Sequence, residues 1–163
     1  MFLIEITKKE NVPDAEGNDT LHGIADLQIA AESVRVDQVY LLEGRLKPSE
    51  LKHIAEMALV DPIIEDYSIR KIDSLPAGRK FPGSEKSSWS VLKTFHHGVT
   101  DNVGQTTLEA IRNLGVRNVD SVMTGKRYRI SGGTLSFDDA GKIASRLLAN
   151  PLIESFVIEK IRA

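Results

Sequence analysis

The feature that most constrains this chain is that it says the same thing twice. Asn11–Ile24, NVPDAEGNDTLHGI, returns as Gly98–Ile111, GVTDNVGQTTLEAI, with Val, Asp, Gly, Thr, Leu and Ile at the same offsets. A second pair, DPIIEDYSIRKI (Asp61–Ile72) and NPLIESFVIEKI (Asn150–Ile161), shares Pro, Ile, Glu, Ile, Lys and Ile in register. Two matching blocks in the same order and at nearly the same spacing mark an internal duplication. The expected organisation is a first unit at 1–72, a linker at 73–90 and a second unit at 91–163. Units of about seventy residues stand near the lower limit for a self-sufficient core, so the halves are expected to lean on each other. The linker, DSLPAGRKFPGSEKSSWS, is broken by Pro76, Gly78, Pro82 and Gly83. Trp89 is expected to pack at the start of the strand that follows.

Each half reads as the same series of elements. Phe2–Ile6 and Ser90–Phe95 alternate and are rich in β-formers, which predicts strands. Asp14 and Asp101 stand just before helical spacing (Leu21, Ile24, Leu27 and Leu108, Ile111, Leu114), where a carboxylate accepts from first-turn N–H groups. Gly17 and Gly104, three residues on, allow that turn to approach a neighbouring backbone or a partner chain. Gly115 is placed to end its helix in the left-handed conformation; Gln28 replaces it in the first half, which predicts a less sharp end there. Val34–Leu42 and Val119–Ile130 are each long enough for two short strands, with tight turns at Asp37-Gln38 and at Gly125. Helices follow at Pro48–Leu59 and, after a Ser136 cap, at Phe137–Ala149; IIEDYSI and LIESFVI close each half as strands. The order β-α-β-β-α-β, written twice, predicts an α+β fold: two ferredoxin-like units in tandem forming a pseudo-dimer, with antiparallel sheets and helices on one face.

Several chemistries are excluded or unsupported. The chain has no cysteine, which removes disulfides, thiolate zinc sites and a cysteine nucleophile. A formal charge of −2 gives no general basis for nucleic-acid or membrane affinity. The lack of a cationic-then-apolar leader and of any long apolar run makes a cytoplasmic protein the expectation. His96 and His97 are adjacent and so point to opposite faces of a strand, neither His22 nor His53 has a second histidine at i,i+4, and no Walker loop or G-x-G-x-x-G is present. No catalytic residue, cofactor or metal site is therefore expected. Lys126, Arg127 and Arg129 form a basic cluster around Tyr128, with Arg127 and Arg129 alternating to one face. It reads either as a solvated edge or as a contact for phosphate or an acidic partner. Stacking aromatics of the kind RNA-binding sheets carry are missing. What recurs in both halves is the scaffold and the way each first helix begins, which points towards assembly.

The run from His97 to Tyr128, HGVTDNVGQTTLEAI with Leu-Gly, Val and Gly-Lys-Arg-Tyr beyond it, resembles the PurS-type small subunit of phosphoribosylformylglycinamidine synthase. Gly98, Val99, Asp101, Gly104, Leu114, Gly115, Gly125 and Lys126 carry the likeness; Val12, Asp14, Gly17, Leu27, Val34 and Arg35 carry a weaker one. Asn102 and Ala15 replace the proline typical after the Asp, and Asp37-Gln38 replaces the first half's Gly-Lys. The chain is also similar to the N-terminal region of the long single-chain synthetases. The resemblance implies two fused protomers of a normally homodimeric, non-catalytic subunit. It further implies partners, an ATP-using synthetase large subunit and a glutaminase, between which ammonia passes in de novo purine synthesis. Asp14, Gly17, Asp101, Gly104, Gly125, Lys126, Arg127 and Arg129 are then the candidate partner contacts, and further self-association is compatible with this reading. A tandem amino-acid-sensing regulatory module shares the element order and is the alternative; a nucleic-acid-binding tandem fits the charge poorly.

Overall fold

The computed structural model describes residues 1–73 and 87–161. The first repeat contains β1 (Phe2–Lys8), α1 (Ala15–Asp26), β2 (Ser33–Gly44), α2 (Pro48–Ile54) and β3 (Glu65–Lys71). The second contains β4 (Ser87–Phe95), α3 (Asn102–Asn113), β5 (Val119–Gly132), α4 (Phe137–Ile143) and β6 (Glu154–Ile161). Helices α2 and α4 each end in a π-helical turn, Ala55–Leu59 and Ala144–Leu148. Most of the expected linker lies outside the described residues, and β4 begins within its last four. Ile63-Ile64 and Leu152-Ile153 precede the closing strands instead of belonging to them.

The six strands follow the order β3-β1-β2-β5-β4-β6 in an antiparallel α+β fold. The hairpins expected at Asp37-Gln38 and Gly125 do not form: β2 and β5 are single strands of 12 and 14 residues. A two-residue hairpin needs positive φ at its first central position and, in the type I′ form, at both. Asp-Gln is a poor fit to that demand and Gly-Lys meets it only as a type II′ turn, and none of the four has a positive φ.

The compact units consequently do not coincide with the repeats. One gathers residues 1–13, 37–73 and 97–125; the other gathers 14–36, 87–96 and 126–161. Each long strand changes unit where its turn was expected, after Val36 and after Gly125. The hairpin that each repeat would have closed is drawn out, and its two halves serve different units. Each unit still receives the ferredoxin-like complement of four strand segments and two helices, but draws it from both repeats.

Within the first unit, Ile4 and Ile6 of β1 share one face by strand alternation. They pack with Leu51, Ile54 and Ala55 at α2, with Ile111 of α3, and with Leu42 and Val119. β1 pairs with both neighbours, Ile4 opposite Tyr40 and Ile69. The second unit repeats the scheme with Ile24 of α1, Val91 of β4, Ala140 and Ile143 of α4, and Ile158 of β6. Each fully buried aliphatic of this size contributes about 1.5–3 kcal/mol. Trp89 packs at the start of β4 as expected: it is buried, donates its indole N–H to Leu135 O at 3.1 Å, and meets Phe137 edge-on at 5.6 Å. The two first helices end alike. Gln28, at φ 60°, adopts the left-handed conformation of Gly115 at φ 89°, so the looser end expected of α1 is not observed.

Candidate partner-contact site

The first helix of each repeat starts in the same way. Asp14 caps α1 by accepting from Gly17 N–H at 3.1 Å, and its second oxygen accepts from Val36 N–H of β2 at 2.8 Å. Asp101 caps α3 through Gly104 N–H at 2.8 Å and binds Thr124 N–H of β5 at 2.6 Å. The Thr124 hydroxyl adds a bond to the same carboxylate at 2.9 Å. Each aspartate thus ties a helix start to a strand. The glycine is required by the same approach: a Cβ on Gly17 would stand 2.5 Å from Val34 O, and one on Gly104 2.5 Å from Val122 O. The close neighbour allowed for in the sequence is the chain's own backbone.

The basic cluster on β5 is not a solvated edge. Arg127 is 6% exposed; its guanidinium donates to Ser90 Oγ at 2.9 Å and reaches Glu159 at 3.5 Å. Lys126, half-buried, pairs with Glu16 of α1 at 2.6 Å. The Tyr128 hydroxyl donates to the same carboxylate oxygen at 3.3 Å, so Lys126 and Tyr128 share a face. Burial first, and Glu16 second, push the Tyr128 phenol well above its usual range. In the first unit the corresponding positions hold Gln38, Tyr40 and Val103, and Gln38 Nε2 donates to Gly125 O at 3.1 Å. Burial, then Glu65 and Asp101, raise Tyr40 as well. Among the described residues, no group of three or more His, Asp or Glu side chains is placed to hold a metal. No helix there is long and apolar enough to cross a membrane.

The PurS family, described as phosphoribosylformylglycinamidine (FGAM) synthase, matches twice, over residues 2–73 and 90–162. The chain belongs to the PurS family. The phosphoribosylformylglycinamidine synthase subunit PurS of Archaeoglobus fulgidus is 38% identical to it over 65 residues, which span 37% of this chain and 81% of that protein. Each repeat of this PurS-family chain thus corresponds to one family domain.

The sequence reading missed a further pair of features, in the turns before β3 and β6. Ile63 N–H donates to Asp61 Oδ1 at 3.0 Å and Asp61 N–H to Glu65 Oε2 at 2.9 Å. In the second repeat Leu152 N–H donates to Asn150 Oδ1 at 3.1 Å and Asn150 N–H to Glu154 Oε2 at 2.8 Å. Lys9 Nζ holds the Pro62 carbonyl at 2.6 Å, where His96 Nε2 holds that of Pro151 at 3.1 Å. Both turns push an aliphatic side chain into water: Ile63 is 82% exposed and Leu152 84%. The signal was legible as Asx-Pro followed by two aliphatics and Glu, a turn motif written twice.

Proposed function

We propose that this chain is the non-catalytic assembly subunit of phosphoribosylformylglycinamidine synthase, acting in the cytoplasm. In this role it bridges the ATP-dependent synthetase and the glutaminase so that ammonia passes between them in de novo purine synthesis. The observation that carries the reading is the double family match, which covers both repeats. The geometry is compatible with it. Asp14, Gly17, Asp101 and Gly104 shape the helix starts, and Gly125, Lys126, Arg127 and Arg129 lie on the strand that serves both units. As proposed partner contacts, Asp14, Gly17, Asp101, Gly104, the uncharged Gly125 and the buried Arg127 act by fixing shape, whereas the partly exposed Lys126 and Arg129 present charge. The two repeats share the scaffold but not its surface, so one chain can offer two different faces to two different partners.

The test is reconstitution with the synthetase and glutaminase subunits from the same source, with and without this chain. The expected result is that the chain restores the glutamine-dependent rate and leaves the ammonia-dependent rate unchanged. No change in either rate, together with no complex on a sizing column, would overturn the proposal.

A further inference from the structure

The turn at Pro62–Ile64 exposes a large aliphatic side chain on a backbone fixed by the Asp61, Glu65 and Lys9 bonds. Covering Ile63 gains apolar burial at little cost in loop ordering, because the loop is already ordered. Beside it lies a cavity of about 420 Å³ lined by Glu56, Val60, Pro62, Glu65, Asp66 and Tyr67. Tyr67 donates its hydroxyl to Glu56 at 2.9 Å, and Met57, the next residue, is 64% exposed. The same turn in the second repeat keeps its aliphatic tip but not these surroundings. Ser145, Arg146, Asn150 and Ser155 stand where Glu56, Met57, Asp61 and Asp66 stand in the first.

We propose that the Ile63 turn and its cleft dock a basic segment of a protein partner. An arginine or lysine side chain enters beside Glu56, Glu65 and Asp66, while its apolar neighbours cover Ile63 and Met57. Charge complementarity selects this occupant. The four carboxylates of Glu56, Asp61, Glu65 and Asp66 outnumber the three ammonium groups nearby, Lys8 opposite Glu65 on β1, Lys9 and Lys52. An acidic ligand would be repelled, and a wholly apolar one would strip water from carboxylates without replacing it. The proposal rests on the assembly reading, with the segment carried by one of the other synthase subunits.

The test titrates the full chain against each purified subunit, synthetase and glutaminase, by calorimetry at low and at moderate salt. Ile63→Ser and Asp66→Lys are each expected to weaken binding to one subunit by roughly tenfold or more. Leu152→Ser leaves that affinity unchanged, and the wild-type affinity falls with salt more steeply than that of Asp66→Asn. The side chains replaced are all exposed, so the variants should melt with the wild type. Binding that is indifferent to Ile63→Ser and Asp66→Lys overturns this surface and leaves the assembly reading standing. A wild-type chain that binds neither subunit overturns both. If Ile63→Ser abolishes self-association in sedimentation without touching subunit affinity, the surface belongs to a second copy and the proposal fails.

Discussion

At the starts of α1 and α3 the two repeats are nearly interchangeable, but along the flanks of the same helices they are not. Each start uses an aspartate bonded to a glycine N–H and to a strand N–H. Further along, α1 packs Gly23 under Leu147, whereas the corresponding pair beside α3 is Ala110 and Ala58. There the shorter side chains leave a groove of about 380 Å³, lined also by Asn102, Val103, Thr106 and Thr107. The difference shows which contacts tolerate divergence. A helix start docked on a strand must satisfy fixed N–H groups at fixed distance, and few residue pairs do so. A helix flank carries no such directional demand, so a smaller pair is tolerated there and leaves a groove.

The comparison breaks most visibly at the two first-turn glycines. Gly17→Ala and Gly104→Ala each place a methyl 2.5 Å from a backbone carbonyl, which cannot rotate away. Each is expected to cost about 3 kcal/mol, read as a loss of roughly 10 °C in Tm. Gly141→Ala, with nothing within 4 Å of the added carbon, should instead hold or gain slightly. A large loss at only one of the two helix starts would show that the docks are not equivalent.

Removing the carboxylates is the next largest test. Asp14→Ala and Asp101→Ala each strand two N–H groups and should cost about 2 kcal/mol by urea denaturation. Asp101 also accepts the Thr124 hydroxyl, and Val36 stands at the corresponding place in the first repeat. Thr124→Val should therefore cost about 1 kcal/mol in the wild type and nothing in the Asp101→Ala background.

The tyrosines sharpen the comparison through pH. Tyr128 is buried against Glu16, and Tyr40 is shielded by burial near Glu65 and Asp101; both phenols are raised. The folded chain keeps these protons where the unfolded chain, with phenols near pH 10, releases them. Their contribution is complete below pH 10 and is lost as pH rises from there towards the folded value. At pH 11 the loss should be about 1 kcal/mol for Tyr128. Urea melts at pH 8 and 11 should show Tyr128→Phe reducing this alkaline loss and Tyr40→Phe reducing it less.

Periodicity and caps made much of this architecture legible. Leu108, Ile111 and Leu114 marked α3, Asp101 marked its start, and Ser136 marked the start of α4, which it caps through Asp139 N–H at 3.0 Å. The misread element is the centre of each repeat. Val34–Leu42 carries enough β-formers for two strands, and local spacing does not distinguish a closed hairpin from one opened into a longer strand. That choice depends on turn chemistry and on what the other repeat offers, which is a long-range property. Arg127 was misjudged for a related reason: its burial depends on Ser90 and Glu159, which are distant in sequence. The exposed turns were missed because two aliphatics before a strand read as the strand's own beginning.

The smallest effect is a gain, at the ends of α1 and α3. Gln28 holds a positive φ of 60°, where its Cβ crowds the following carbonyl; Gly115 occupies the same position without that penalty. Its N–H nevertheless bonds Ala25 O at 2.8 Å, much as Gly115 bonds Arg112 O at 3.0 Å, so the two caps differ in strain and not in hydrogen bonding. Gln28→Gly should then stabilise the chain by somewhat under 1 kcal/mol, part of the relieved strain being offset by the greater freedom of glycine in the unfolded chain. Gly115→Gln should lose about as much. Equal and opposite shifts in urea midpoint, with unchanged slope, would make the two helix ends one design with different residues. A destabilised Gln28→Gly would mean that the glutamine side chain contributes packing that offsets its strained backbone, and that the repeats have diverged here in substance.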